Sequence, residues 1–271
     1  MWSTSGFFAR APLFEGWPGV VLAFWRAVFA CLVLLPMVRR PRWSWKLTAL
    51  LIFFVLMNYT YLTAIVQAGP ANAIWLQNTA PVWVFFVGVF YLKEKIQYRD
   101  WLLLLFCMLG VGVILFFEVQ GESIGGVIYG LLAGVTYAGV VITLRQGRNY
   151  ESVWLIALCH VVTAAALSPF VIYHNIWPSG WQWAYLAGFG IFQMGLPYVL
   201  FARGLRVVAG HEAAGLVLLE PVLVPLWVYL AWQELPSWWT FVGGGLILIG
   251  LLLRYFGSFV PRPNSSEIVK D

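Results

Sequence analysis

Apolar residues come in long runs along this chain, and the polar residues sit in the short breaks between them. Runs of about twenty residues, the length that crosses a bilayer, fall at 18–38, 46–67, 71–92 and 100–117. Five more fall at 125–145, 153–173, 181–202, 212–232 and 238–256. Residues 2–13 are apolar too, but are short of a bilayer's width and read as the back end of another helix. Trp2–Arg10 resembles Tyr137–Arg145 at an offset of 135, which places it at the end of a span. The expected fold is an all-α polytopic membrane protein of ten transmembrane helices, the first one truncated. No basic leader precedes an apolar core, which argues against a signal peptide.

The runs repeat. Ala73, Leu76, Pro81, Val82, Val84, Glu94 and Gly110 recur 140 residues later as Ala213, Leu216, Pro221, Val222, Val224, Glu234 and Gly250. The chain therefore divides into a first five-helix repeat at 1–117, a second at 118–257, and a polar tail at 258–271 expected to be disordered. An odd number of helices per repeat inverts one half relative to the other, an arrangement suited to alternating access.

Composition agrees with a membrane solvent: 62% hydrophobic residues, 10% charged, and a mean hydropathy of +0.83. The 16 Trp, 12 Tyr and 20 Phe suit aromatic belts at the two interfaces. A net charge of +5 does not indicate nucleic acid, because the basic residues lie in loops between spans. Arg39, Arg40, Arg42, Lys46, Lys93, Lys95, Arg99, Arg145, Arg148, Arg203, Arg206, Arg254, Arg262 and Lys270 all fall on one side if ten helices alternate. The other side holds Arg10. By the positive-inside rule both termini are expected in the cytoplasm of a multi-pass inner or plasma membrane protein. Cys31, Cys107 and Cys159 lie inside spans with no ligand set around them, so they read as lipid-facing or packing residues, and neither a metal nor a cofactor is expected. Two small-residue stripes, Gly126-Gly130-Gly134-Ala138 and Gly243 to Gly245, are expected to let helices approach closely.

Polar groups deep in a span are costly unless they are paired or face a watery cavity. Arg26 sits about two turns into the second span. It is either an anion site for a carboxylate or phosphate, or a structural partner for a carbonyl or an acid. His160 aligns with it at an offset of 134, and either relays protons or stays neutral with one hydrogen-bond partner. Glu220, before Pro221, either couples proton entry to transport or braces its helix; its counterpart in the first repeat is Ala80. Asn58, Gln77, Asn78, Gln193 and Tyr198 lie at comparable depth, and with Trp2 and Tyr137 complete the candidate substrate-binding set. Pro81 and Pro221 are expected to bend their helices. Glu94 and Glu234 read mainly as turn acids that cap the next helix, with a coupling role as the alternative.

The segments Leu216–Glu220–Pro221, Trp232-Gln233-Glu234-Leu235 and Gly243 to Gly250 resemble the EamA-type transporters of the drug/metabolite transporter superfamily. So do Trp25-Arg26-Ala27, Ala64 to Ala73 and Pro81 to Glu94, and the likeness runs from Trp2 to about Gly257. The resemblance implies a ten-helix secondary transporter of the inner or plasma membrane, usually an exporter of amino acids, related metabolites or drugs. It also implies a cavity between spans 1–4 and 6–9, with spans 5 and 10 at the periphery. The short first span departs from that pattern. The expected partners are a small-molecule substrate and the lipid bilayer, with protons if transport is coupled to them; no pattern speaks to oligomeric state. An intramembrane enzyme would need a paired nucleophile and base or a metal cluster, yet no HExxH motif occurs and the three histidines are scattered. A non-transporting scaffold or receptor of the same fold is the alternative function.

Overall fold

A bilayer offers backbone amides no water, so an apolar run satisfies its N–H and C=O groups by coiling on itself. The computed structural model, which describes residues 1–90, 98–118, 124–147, 149–197, 200 and 220–256, is helical throughout its regular structure. A 3-10 turn at Trp2–Thr4, helix α1 (Ser5–Ala9) and a second 3-10 turn at Pro12–Phe14 lead into α2 (Gly19–Leu34) and α3 (Thr48–Ala68). Then come α4 (Pro70–Gln77), α5 (Ala80–Phe90), α6 (Tyr98–Glu118), α7 (Ile124–Gln146) and α8 (Ser152–His174). Helix α9 (Gln182–Gly188) runs directly into a π-helical turn at Phe189–Gly195. Helices α10 (Glu220–Trp232) and α11 (Trp238–Phe256) close the described chain.

Five described stretches are long and apolar enough to cross a membrane: Gly19–Met37, Trp45–Ala68, Tyr98–Phe117, Ile124–Leu144 and Ser152–His174. The chain is a multi-pass membrane protein. Glu220–Trp232 and Trp238–Arg254 are shorter apolar helices.

The run at 71–92 departs from a single bent helix. It breaks into α4 and α5 at Asn78 and Thr79, just ahead of Pro81. Proline has no N–H to give the Gln77 carbonyl, and its ring crowds that oxygen. The chain closes the gap with short bonds, Thr79 N–H to Leu76 O at 3.1 Å and Val82 N–H to Thr79 O at 2.9 Å. Pro221 stands at the start of α10, and the residues before Glu220 lie outside the described residues, as do Glu94, Arg148, Arg203 and Arg206. Pro169 and Pro225 are accommodated inside α8 and α10. Gly69 joins α3 to α4 at φ 83 and ψ 157, a backbone conformation that favours glycine.

Packing follows the small residues. Helix α3 lies on α7, α6 on α11, α2 on α8, and α4 touches both α7 and α10. Along α7, a Cβ added at Gly126, Gly130 or Gly134 would strike Ala68, Leu76 or Thr79, so the stripe admits α4 and the end of α3. A Cβ on Gly110 would lie 2.4 Å from the carbonyl oxygen of Gly243, so α6 and α11 meet backbone to backbone. Of the three glycines at 243–245, Gly243 and Gly244 face neighbours and Gly245 faces open space. The three cysteines are buried free thiols, which makes them packing residues.

Polar ties fasten the ends. Asp100 pairs with Arg254 at 2.8 Å, joining the start of α6 to the end of α11. The Glu151 carboxylate accepts the backbone N–H groups of Arg39 (3.1 Å) and Arg40 (2.6 Å), holding the segment after α2 against the start of α8. Glu234 was expected as a cap, but α11 begins four residues later at Trp238, beyond capping reach. Its carboxylate instead accepts Arg10 Nε at 3.0 Å.

Candidate functional site

Helix α2 carries Arg26 into the bundle, where its side chain is 1% exposed. Nη2 donates to Asn58 Oδ1 on α3 at 2.5 Å, and Nη1 donates to Gln193 Oε1 in the π-turn at 3.1 Å. Each amide is oriented from behind. Asn58 Nδ2 donates to the Phe54 carbonyl at 2.8 Å, and Gln193 Nε2 donates to the Trp2 carbonyl at 3.3 Å. With its nitrogen so occupied, each amide turns its oxygen toward the guanidinium. The Phe189 ring centroid lies 5.1 Å from the guanidinium carbon, within cation–π range.

Gly190 permits this arrangement. A Cβ there would stand 2.7 Å from the Arg26 carbonyl oxygen and 2.5 Å from Phe29 Cβ. Without a side chain, the π-turn comes onto α2 at the level of Arg26. Such turns concentrate at functional sites, because the widened coil re-aims the side chains it carries.

Two further groups stand within electrostatic range. Tyr61, 5% exposed, shares a 2.8 Å hydrogen bond with Ser5 and lies in the field of both Arg26 and Glu220, the first residue of α10. His160 on α8 is fully buried, edge-on to Phe54 at 5.0 Å and 90°, and in the field of Arg26. Neither ring nitrogen of His160 has a hydrogen-bond partner among the described residues. The surface that faces it is the Phe54 ring, which offers no lone pair.

The remaining candidates that are described make other contacts. Asn78 spends its amide within its own turn, on the Ile74 carbonyl at 2.9 Å, and Gln77 is half-buried beside it. Tyr137 packs against the apolar cluster containing Leu51, Phe54 and Met57. Tyr198 lies outside the described residues. The structure thus gathers Trp2, Arg26, Asn58 and Gln193, with His160 and Glu220 near. It adds Phe189, Tyr61 and Ser5, which the sequence reading missed. Phe189 is one turn before Gln193, a spacing that could have marked it; nothing in the sequence distinguishes Ser5 or Tyr61 from other hydroxyls in apolar runs.

The pentad Gly121-Glu122-Ser123-Ile124-Gly125 has G-x-S-x-G spacing. A serine nucleophile at that motif needs a strand leading into a helix. Helix α6 ends at Glu118, ahead of the pentad, and Ile124 and Gly125 already belong to α7, so no strand leads into the motif among the described residues.

The site acquires a context from related proteins. The model of the EamA-like transporter family matches residues 1–116 and 124–256. An uncharacterized transporter of Archaeoglobus fulgidus is 30% identical over 86% of this chain and 86% of its own. The pseudopaline exporter CntI of Pseudomonas aeruginosa is 28% identical over 71% of this chain and 68% of its own. An S-adenosylmethionine uptake transporter of Rickettsia felis is 25% identical over 84% of this chain and 79% of its own. A crystal structure superposes with a TM-score of 0.68 at 19% identity, covering 96% of this chain and 95% of that one, a likeness of fold.

Proposed function

The chain belongs to the EamA-like transporter family, and from that premise we propose that it is a secondary transporter whose deep cation, Arg26, receives the carboxylate of a small anionic or zwitterionic metabolite. One observation carries the reading. The partners that hold Arg26 come from both family-matched segments: Asn58 from 1–116, and Gln193, itself held by the Trp2 carbonyl, from 124–256. A carrier that rocks two halves against each other needs its substrate contact where the halves meet. An amide carbonyl is also an acceptor that a carboxylate can replace, since it offers the same lone-pair geometry with added charge.

The helix pairings support two inverted five-helix halves, 1–117 and 118–257. Exchanging each span with its counterpart five spans on leaves the pairs α2–α8, α4–α10 and α6–α11 unchanged. The same exchange turns α3 on α7 into the π-turn on the first two short helices, which also touch. In this proposal the ten spans place both ends of the chain in the cytoplasm, the alternation that the one-sided basic loops require. Glu220 is the proposed coupling acid, placed with Tyr61 beside the same junction. The relatives named above include one exporter and one uptake transporter, and for this chain we take export as the direction.

Liposome transport tests the proposal. Arg26→Ala should abolish uptake of amino-acid-like anions and zwitterions while the protein still inserts and elutes as a folded species. A panel in which Arg26→Ala transports such solutes at the wild-type rate would refute Arg26 as the contact.

A further inference from the structure

Between α2 and α3 the chain carries four cations within eight residues: Arg39, Arg40, Arg42 and Lys46. All four are exposed. Among the described residues, no acid pairs with their side chains and no acceptor takes their side-chain N–H groups. The segment is nevertheless fastened down. The Glu151 carboxylate takes the backbone N–H groups of Arg39 and Arg40, and Trp154 Nε1 donates to the Arg42 carbonyl at 2.9 Å. Ser44 Oγ accepts the Lys46 N–H at 3.3 Å, which starts the 3-10 turn at Trp45–Leu47 that leads into α3. Pro36 and Pro41 stiffen the backbone further. Each of these ties engages the main chain of a basic residue and leaves its charged end unspent.

The surroundings say what those charges meet. Glu151 offsets one of them, so the fastened segment keeps a net of three positive charges. Its two flanks are spans of bilayer length, Gly19–Met37 and Trp45–Ala68, so it lies at the membrane surface. Exposed apolar side chains stand on either flank, Leu32, Leu35 and Met37 before it and Ile52 after it. Between the cations stand two indoles, Trp43 at 54% and Trp45 at 81% exposure, with ring centroids 5.9 Å apart at 77°. Exposed tryptophans of this kind settle at the level of lipid headgroups, where one end of the ring is wet and the other apolar.

We propose that Arg39, Arg40, Arg42 and Lys46, with Trp43 and Trp45, bind the headgroup of an anionic phospholipid. The phosphodiester supplies the acceptor that the guanidinium groups lack, in the bidentate geometry they favour. The indoles and the apolar flanks contribute only to a ligand that carries acyl chains, which selects a lipid over a soluble phosphate. The pinned backbone lowers the ordering cost of binding. None of these residues touches Arg26, and the site stands whether or not Arg26 contacts a transported substrate.

The test titrates the full chain in a neutral detergent with phosphatidylglycerol or phosphatidylcholine, and counts bound lipid by native mass spectrometry. Phosphatidylglycerol should bind at least tenfold more tightly than phosphatidylcholine. A basic side chain at an anionic surface is worth about fivefold in affinity. Arg40→Gln with Arg42→Gln should therefore weaken phosphatidylglycerol about 25-fold and leave phosphatidylcholine unchanged. The two side chains have no partner among the described residues, so the double variant should unfold at the wild-type temperature in lipid-free detergent. Arg262→Gln with Lys270→Gln removes the same charge from the tail, and should keep phosphatidylglycerol affinity within about twofold of wild type. Equal losses in the two double variants would overturn the proposal in favour of diffuse attraction by net charge. Equal binding of the two lipids would overturn it outright. Displacement of phosphatidylglycerol by equimolar glycerol 1-phosphate would overturn it in favour of a soluble-phosphate site.

Discussion

Replacing Asn58 with leucine removes one acceptor from Arg26 while nearly preserving side-chain volume. The bond it deletes is short (2.5 Å), charged on one side and made between groups that are 1% and 0% exposed. Charge-assisted bonds of this kind contribute about 1.5–3 kcal/mol, more than the roughly 0.6 kcal/mol average of interhelical bonds in membrane proteins. The second bond of Asn58, to the Phe54 carbonyl, lies within its own helix and adds little, because that oxygen already accepts a backbone N–H. Asn58→Leu should therefore destabilise the protein by about 1.5–3 kcal/mol. In an Arg26→Met background the same substitution should cost only about 0.5 kcal/mol, because no buried N–H is left facing leucine. Unfolding by SDS in mixed micelles, run on the wild type, both single variants and the double variant, yields the coupling directly. A coupling energy above about 1 kcal/mol supports the network. Additivity to within about 0.5 kcal/mol would refute the claim that Asn58 holds Arg26 in place.

Gly110→Ala and Gly243→Ala should each cost about 1–3 kcal/mol in the same unfolding assay, since either Cβ meets the opposite backbone. Gly245→Ala, with nothing within 4 Å, should be neutral or slightly stabilising. Single cysteines at positions 40 and 174, in a chain with Cys31, Cys107 and Cys159 replaced, should react with impermeant maleimide from opposite sides of sealed vesicles; reaction from the same side would sink the ten-span topology. Glu220→Gln mimics the protonated acid, and should preserve substrate exchange while abolishing uphill transport driven by a pH difference. Equal losses of exchange and uphill transport would end the coupling role and leave a facilitator.

Much of this protein was legible before any coordinates because the bilayer imposes a local rule. Each backbone group must be paired within its own segment, so an apolar run such as 46–67 states its helix residue by residue, and Thr48–Ala68 answers it. Pro81 marked the weak point of the fourth run by the same local chemistry, although the outcome was a break and not a bend. The depth of Arg26, Asn58 and Gln193 could be counted along their helices. Their meeting could not. Arg26 reaches Asn58 across 32 residues and Gln193 across 167, and whether they face one another depends on how each helix is rotated about its axis. In water, an apolar face against a polar one announces that rotation. In a membrane the lipid is as apolar as the core, so the sequence carries little record of which side turns inward. Close approach set the rotations instead, at Gly110 against Gly243, at Gly190 against α2, and along the α7 stripe against α4. The sequence by itself determined the apolar helices, five of them of membrane-spanning length among the described residues, the two family-matched segments and the presence of a deep cation. Tertiary packing alone decided that the cation sits between two amides, and that His160 faces a phenylalanine ring.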